Sequence, residues 1–324
     1  MKKLGKTDTI TKEYMKDPVI FADMFNKFLY HGRQVIQPES LTEMDTTEIA
    51  VPYGDGKAGV PAQKYRDVLK LMMTDGNVAY CILGCEDQSA IHYAMPVKNM
   101  LYDSMQLSHQ VTMAAKSHRQ QKEHKPSSYE FLSGFHKTDR LVPVVTLVIY
   151  WGPDRWDGPL SLKEMYAAAD DVIMQYVPDY KVNLIAPEQM TDEEIKEFQT
   201  SLKEVMLYIK YSKDKNKLLE IAQEDPNFLS MDRQAAEVIN TVTNSKLKYP
   251  EGKGKINMCL AIEEMRMDSK REGIREGIRE GEIKGAVETY QEVGISLQET
   301  SRRVSVKFHL PLQQAEEEVK KYWQ

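Results

Sequence analysis

Cysteine is scarce in this chain: Cys81, Cys85 and Cys259 are the three among 324 residues. Two of them share one apolar segment, without the paired spacing of a zinc ribbon or a disulfide framework. Such sparing use suggests a reducing cytoplasm. Long apolar runs are missing as well. The longest, Leu141 to Trp151, is interrupted by Pro143 and Thr146 and falls short of the roughly 18 residues a membrane helix needs. The opening stretch MKKLGKTDTITKEY is charged with no apolar segment behind it, which argues against a secretory leader. No membrane and no organic cofactor are expected as partners. An excess of positive charge is also lacking, since 43 basic residues face 49 acidic ones for a net charge of −6. A nucleic-acid binder is more often basic overall, but phosphate contacts need only a local basic surface. The best local candidate is 116–125, with Lys116, His118, Arg119, Lys122, His124 and Lys125. It reads equally as a solvated helix end or as a DNA contact.

What is present describes a folded α/β protein, with 41% hydrophobic and 28% charged residues. Apolar residues at helical spacing, Ile20, Phe21, Met24, Phe25, Phe28 and Leu29, predict an amphipathic helix over 17–30. Asp17 before Pro18 suits an N-cap followed by proline in the first turn. Residues 52–61, with Gly54, Gly56 and Gly59, read as a loop. Segments 65–73 and 77–88 read as strands joined by the turn signal Asp75-Gly76, hence a hairpin. The second strand is apolar on both faces through Ala79, Tyr80, Cys81, Ile82 and Leu83, which places it centrally in its sheet. A long helix is expected from His92 to about Lys122, a third strand over 141–151 and a fourth over 181–186. Charged helical segments follow at 191–212, 213–223 and 231–245, either packed on the α/β part or forming a lobe of their own.

Glycine then recurs every four residues at Gly273, Gly277, Gly281 and Gly285, within the repeat REGI-REGI-REGE. Each interior glycine costs a helix roughly 1 kcal/mol, and the Glu–Arg pairs return only tenths. A semi-flexible charged linker is therefore the favoured reading, with a helix packing closely in a homodimer as the other. In the tail, Ser296 and Glu299 match a capping box and Pro311 is placed to start a second helix. Two short helices with a turn look like half of a helix-turn-helix, against a packing or oligomerising role. The expected division is 1–190, 191–255 for a helical extension, 256–293 for the glycine repeat and 294–324 for the tail.

Chemistry concentrates in Asp67 and in Glu86-Asp87-Gln88. Alternation along a strand puts Glu86 and Gln88 on one face, and a hairpin brings Asp67, in the first strand, alongside. Two carboxylates so placed hold a divalent cation through oxygen, and Mg2+ (or Mn2+) suits a site that also takes a phosphate. The bland reading is a turn aspartate and a solvated strand-end glutamate.

These residues carry a resemblance. Asp67, an apolar strand and the Glu-x-Gln of LGCEDQSAIHYAMPVKNMLYD resemble the core of the PD-(D/E)XK nucleases. More narrowly they resemble the recombination-promoting nuclease / putative transposase family, in which glutamine stands at the lysine position. FADMFNKFLYHGRQVI (21–36), RDVLK (66–70), LVPVVTLVIYWGPDRWDGP (141–159) and the Arg-Glu-Gly repeat extend the likeness over most of 1–190. The resemblance implies a restriction-endonuclease-like fold, a mixed sheet flanked by helices, with an α-helical C-terminal extension. It implies a metal-dependent cut in DNA linked to recombination or mobile elements, with Asp67, Glu86 and the backbone carbonyl of Asp87 as metal ligands. Gln88 would stand in for the lysine, although an amide is neither base nor cation. Lys98, on the helix after the Glu-x-Gln strand, is the preferred source of the missing charge over Lys70, which a regular strand points away. Asp23 reads as an auxiliary acidic ligand or, preferably, a solvated helix residue. His92, His109, His118 and His124 show no zinc spacing, and His109 and Gln110 read as surface residues. Two further functions stay open: a catalytically idle relative that binds DNA or protein, and a strand-joining transposase.

Overall fold

Two apolar segments, folded back on one another, organise the sheet. The computed structural model describes residues 6–45, 47–50, 62–65, 67–74, 78–121, 128–167, 170–250, 252 and 254–323. Its strands are β1 (Leu41–Glu43), β2 (Thr47–Ala50), β3 (Ala62–Tyr65), β4 (Val68–Met73), β5 (Ala79–Gln88), β6 (Val144–Tyr150) and β7 (Asn183–Ile185). Its helices are α1 (Lys6–Lys16), α2 (Pro18–Tyr30), α3 (Met95–Gln121), α4 (Ser128–Ser133), α5 (Asp171–Tyr176), α6 (Asp192–Lys196), α7 (Leu202–Tyr211), α8 (Lys215–Glu224), α9 (Arg233–Thr243), α10 (Met258–Glu292), α11 (Leu297–Phe308) and α12 (Leu312–Tyr322). The chain divides into two compact units, Met1–Leu260 and Ala261–Gln324.

In the first unit the five-stranded sheet has the order β1-β4-β5-β6-β7. The β1–β4 and β4–β5 pairs are antiparallel, while β5–β6 and β6–β7 are parallel, so the sheet is mixed. β5 lies at its centre with Cys81, Ile82, Leu83 and Cys85 buried, as expected of a strand apolar on both faces. The connecting turn Asp75-Gly76 and the loop 52–61 lie outside the described residues. α3 lies against β6, and α1 against β4 and β5, so the sheet is flanked by helices. The parallel β5–β6 pair needs a crossover, which α3 and α4 provide.

Local signals account for several element ends. Asp17 accepts a hydrogen bond from the Val19 backbone N–H (2.8 Å) with Pro18 in the first turn of α2. Helix α6 opens with a complete capping box, Thr191 and Glu194. The expected single helix over 191–212 is instead two, α6 and α7, parted by a turn at 197–201. These helices pack into the first unit: α7 lies on α9, and α9 lies on α1. The helical extension placed at 191–255 therefore shares its unit with the sheet. Gln110, expected at the surface, brackets the entry to β6 by exchanging two hydrogen bonds with Val142 (3.0 and 2.7 Å).

In the second unit the glycine repeat is not a linker but part of the 35-residue helix α10. The glycine penalty is real, yet buried residues anchor the helix at both ends, Ala261 and Ile262 at one and Ile283, Ala286 and Val287 at the other. Tertiary burial outweighs propensity here. Ile283 and Val287 form a small core with Val304 of α11 and with Ala315 and Val319 of α12. A Cβ built on Gly277 would meet nothing within 4 Å. Gly277→Ala is accordingly expected to stabilise α10 by about 1 kcal/mol, read as increased helicity and a raised unfolding midpoint of this unit. A loss of stability would mean that some partner requires the bare backbone. Among the described residues no helix is long and apolar enough to cross a membrane.

Candidate metal centre

The centre forms where β4 begins and β5 ends. Val68 pairs with Cys85, so Asp67 falls beside Glu86 at the next step of the ladder. Asp67 is not within the strand as expected; it sits in a bend just before β4. There its carboxylate takes over the ladder, accepting a hydrogen bond from the Asp87 backbone N–H at 2.9 Å. Glu86 and Gln88 pair across β6 with Val148 and Tyr150, which pack with Met95 at the start of α3. Their face is thus the one that α3 covers. On that face the Lys98 ammonium lies 2.8 Å from Glu86 Oε2. Pro96, in the first turn of α3, and buried Met95 fix the helix start from which Lys98 projects.

Asp87 points the other way, toward the side of α2 and Trp151. The Trp151 indole N–H donates to Asp87 Oδ1 (3.2 Å), and the Cys85 thiol lies 3.7 Å from the same oxygen. Cys85 itself touches Met24 of α2 at 4.0 Å. The second oxygen, Asp87 Oδ2, is buried without a hydrogen-bond partner among the described residues. Gln88 turns its amide back on the Asp87 carbonyl, donating at 2.9 Å.

Burial pushes the Asp87 carboxyl well above the usual carboxylate range, and the nearby charges of Asp67 and Glu86 push it further. Asp67 is also raised, chiefly by burial, with the Asp87 N–H and the Lys98 charge working against the shift. Burial, with the surrounding carboxylates, drives the Cys85 thiol up and leaves it inert. Asp67 and Glu86 set two carboxylates against one close ammonium, Lys98, an excess of negative charge. An all-oxygen donor set with that excess fits a hard divalent cation. Asp67, Glu86 and the Asp87 carbonyl are the residues that would hold it.

The site opens at Asp67. A cavity of about 280 Å³ is lined there by Lys12, Lys16, Glu43, Asp45 and Asp67. Glu86 is enclosed, at 1% exposure, beneath a Lys98 side chain that is 24% exposed. Helix α1, which brings Lys12 and Lys16 to this cavity, was not among the elements expected from the sequence. Their signal was a spacing of four, which puts Lys12 and Lys16 on one helix face.

Two other candidates fall elsewhere. Lys70 is buried on the far side, donating to the Lys16 carbonyl (2.9 Å) with its ammonium 5.5 Å from the Phe21 ring centroid. Asp23 is neither a ligand nor a solvated residue. It is 1% exposed and accepts hydrogen bonds from Gln199 and Thr200, in the turn between α6 and α7. His118, for which no zinc spacing was evident, meets His136 and Asp139 at the opposite end of α3. The basic stretch that contains it is described only as far as Gln121.

No curated protein and no solved structure matches the chain. Residues 62–239 match the family described as putative transposase, YhgA-like. The match runs from β3 through most of α9, taking in Asp67, Glu86, Gln88 and Lys98 together with the helices that pack on the sheet. With more than half of its length so matched, the chain belongs to the YhgA-like putative transposases, a PD-(D/E)XK-like family.

Proposed function

We propose that this protein is a metal-dependent DNA endonuclease that hydrolyses phosphodiester bonds in the service of recombination or mobile elements. The observation that carries the reading is the crowding of Asp67, Glu86 and Asp87 around the end of the central hairpin with Lys98 as the close cation. Mg2+ or Mn2+ bound by Asp67, Glu86 and the Asp87 carbonyl supplies positive charge against that developing on the phosphoryl oxygens. The chain's own residues do the rest. Asp67 lines the open cavity, beside Glu43 and Asp45, and is the carboxylate of the cluster that a ligand meets there. Lys98 offsets Glu86 while the site waits, and its ammonium is the group placed to move onto a phosphate oxygen once Glu86 is engaged. Lys12 and Lys16, on the cavity wall, attract and position the nucleic-acid backbone. Gln88 steadies the Asp87 carbonyl through its amide and takes no proton, since an amide is not a base.

Two contacts favour a second reading, a catalytically idle relative that binds DNA or a protein. Lys98 already neutralises buried Glu86, and the Gln88 amide already occupies the Asp87 carbonyl. Nicking of supercoiled plasmid separates the two. The endonuclease reading expects nicks with Mg2+ or Mn2+ and none in chelator. Cutting that persists undiminished in EDTA would refute the chemistry. DNA binding without cutting in either metal would establish the idle module.

A further inference from the structure

A second ligand set lies at the far end of α3, chemically unlike the first. His118, in the last turns of α3, has its Nε2 2.8 Å from Asp139 Oδ2. The same oxygen accepts the backbone N–H of His136 at 2.7 Å. The two imidazole rings stack with centroids 3.6 Å apart and planes 14° from parallel. One ring nitrogen from each histidine and one Asp139 oxygen lie within 4.8 Å of one another.

The surrounding chain holds these residues in place. The turn from His136 to Asp139 is closed by the Asp139 N–H on the His136 carbonyl (3.0 Å). Arg140 donates to the carbonyls of Lys137 (3.0 Å) and Asp139 (2.7 Å), bracing it from the other side. Gly134 brings this segment onto α3. Its φ is +70°, and a Cβ there would come within 2.6 Å of the Ala115 Cβ, one turn before His118. The His118 and Asp139 side chains are 25% and 17% exposed, buried enough to be ordered and open enough for an ion and its water to enter.

We propose that His118, His136 and Asp139 form a transition-metal site, taking Zn2+ or a similar borderline ion with solvent completing the shell. Four-coordinate zinc with bonds near 2.0–2.2 Å keeps its ligand atoms about 3.3 Å apart. To admit the ion, Asp139 Oδ2 and His118 Nε2 part by about half an ångström and the two imidazoles leave their parallel stack, since each ring nitrogen binds a metal in its own plane. In neutral His118 the proton moves from Nε2 to Nδ1, so that Nε2 offers its lone pair. Two imidazoles select against Mg2+, which prefers oxygen and near-octahedral geometry. The carboxylate cluster at Asp67 and Glu86 has the opposite preference. The two centres thus accept different metals, and the bound ion fastens the end of α3 to the segment that leads into β6.

Zn2+ titration of the full chain carrying Glu86→Gln, in excess Mg2+, tests this independently of the nuclease reading. One equivalent of Zn2+ is expected, with Co2+ giving visible bands of a low-coordinate nitrogen and oxygen site. His118→Gln and His136→Gln should each abolish that equivalent. They should also abolish the Zn2+-dependent rise in unfolding midpoint, roughly 5 °C at zinc about 100-fold above Kd, while the metal-free midpoint stays near that of the parent. Zn2+ uptake that survives both histidine changes overturns the proposal. So does a parent that takes up no Zn2+, in which case the three residues are a metal-free hydrogen-bonded clasp. Plasmid nicking that fails in the unsubstituted chain, while Zn2+ still binds, would count against the nuclease reading alone.

Discussion

Replacing Glu86 by glutamine is expected to lower Mg2+-dependent plasmid nicking on the order of 1,000-fold, with Asp67→Asn close behind. The side-chain shape is kept in both, so the fold should survive, as far-UV dichroism and the unfolding midpoint can check. What changes is charge. Glu86 is buried, and the amide that replaces it cannot hold a divalent cation as a carboxylate does. Lewis-acid stabilisation amounts to several kcal/mol, and each 1.36 kcal/mol is tenfold in rate, so about 4 kcal/mol corresponds to the loss expected. Asp67→Asn additionally weakens the acceptor of the Asp87 N–H, which aligns the end of β5. Glu86→Gln that cuts as well as its parent would show that this cluster does not do the chemistry. If both variants lose activity and also unfold, Lys98→Arg becomes the decisive comparison, because it keeps a positive charge beside buried Glu86 while displacing the ammonium.

Asp23→Ala carries the largest expected effect on stability. Asp23 Oδ1 and Oδ2 both accept the Gln199 N–H (3.0 Å each), and Oδ2 also takes the Thr200 N–H (2.8 Å) and hydroxyl (2.6 Å). This carboxylate thereby satisfies the turn that parts α6 from α7, and it joins that turn to α2 across 176 residues of chain. Alanine removes the one acceptor that these part-buried donors share. At about 1–3 kcal/mol for each unsatisfied group, the loss should be roughly 4 kcal/mol, or about 10 °C in the midpoint. Denaturant unfolding monitored at 222 nm gives the value directly. A change below about 1 kcal/mol would mean that water enters and replaces the carboxylate. Nicking activity per folded molecule should change little, because Asp23 faces the turn and not the carboxylate cluster.

The two aspartates show where sequence reading succeeds and where it stops. Asp67 was legible because its partner is local: it precedes an apolar strand, and the next strand returns Glu86 to its side by the ladder register. Asp23 offered no such clue. A charged residue on an amphipathic helix is ordinarily solvated, and nothing near it in the chain announces the turn that it caps. The glycine repeat misled for the opposite reason. Its local propensity truly disfavours a helix, but buried anchors at both ends of α10 override it. Helix α1, with Lys12 and Lys16 on the cavity wall, went unread because its weak apolar stripe gains meaning only against β4, β5 and α9.

By itself the sequence determined the elements whose signals lie within a few residues: the Asp17–Pro18 helix start, the doubly apolar β5, the hairpin that carries Asp67 to Glu86, and the family likeness these spell out. Only the tertiary structure decided what is buried against what. It enclosed Glu86 under Lys98, turned Asp23 into a cap, drew 191–255 into the same unit as the sheet, and brought His118 to His136 and Asp139. The physical reason is one of range. Caps, turns and periodicity act through neighbouring bonds, whereas desolvation and charge pairing act between groups that meet only when the chain has closed on itself.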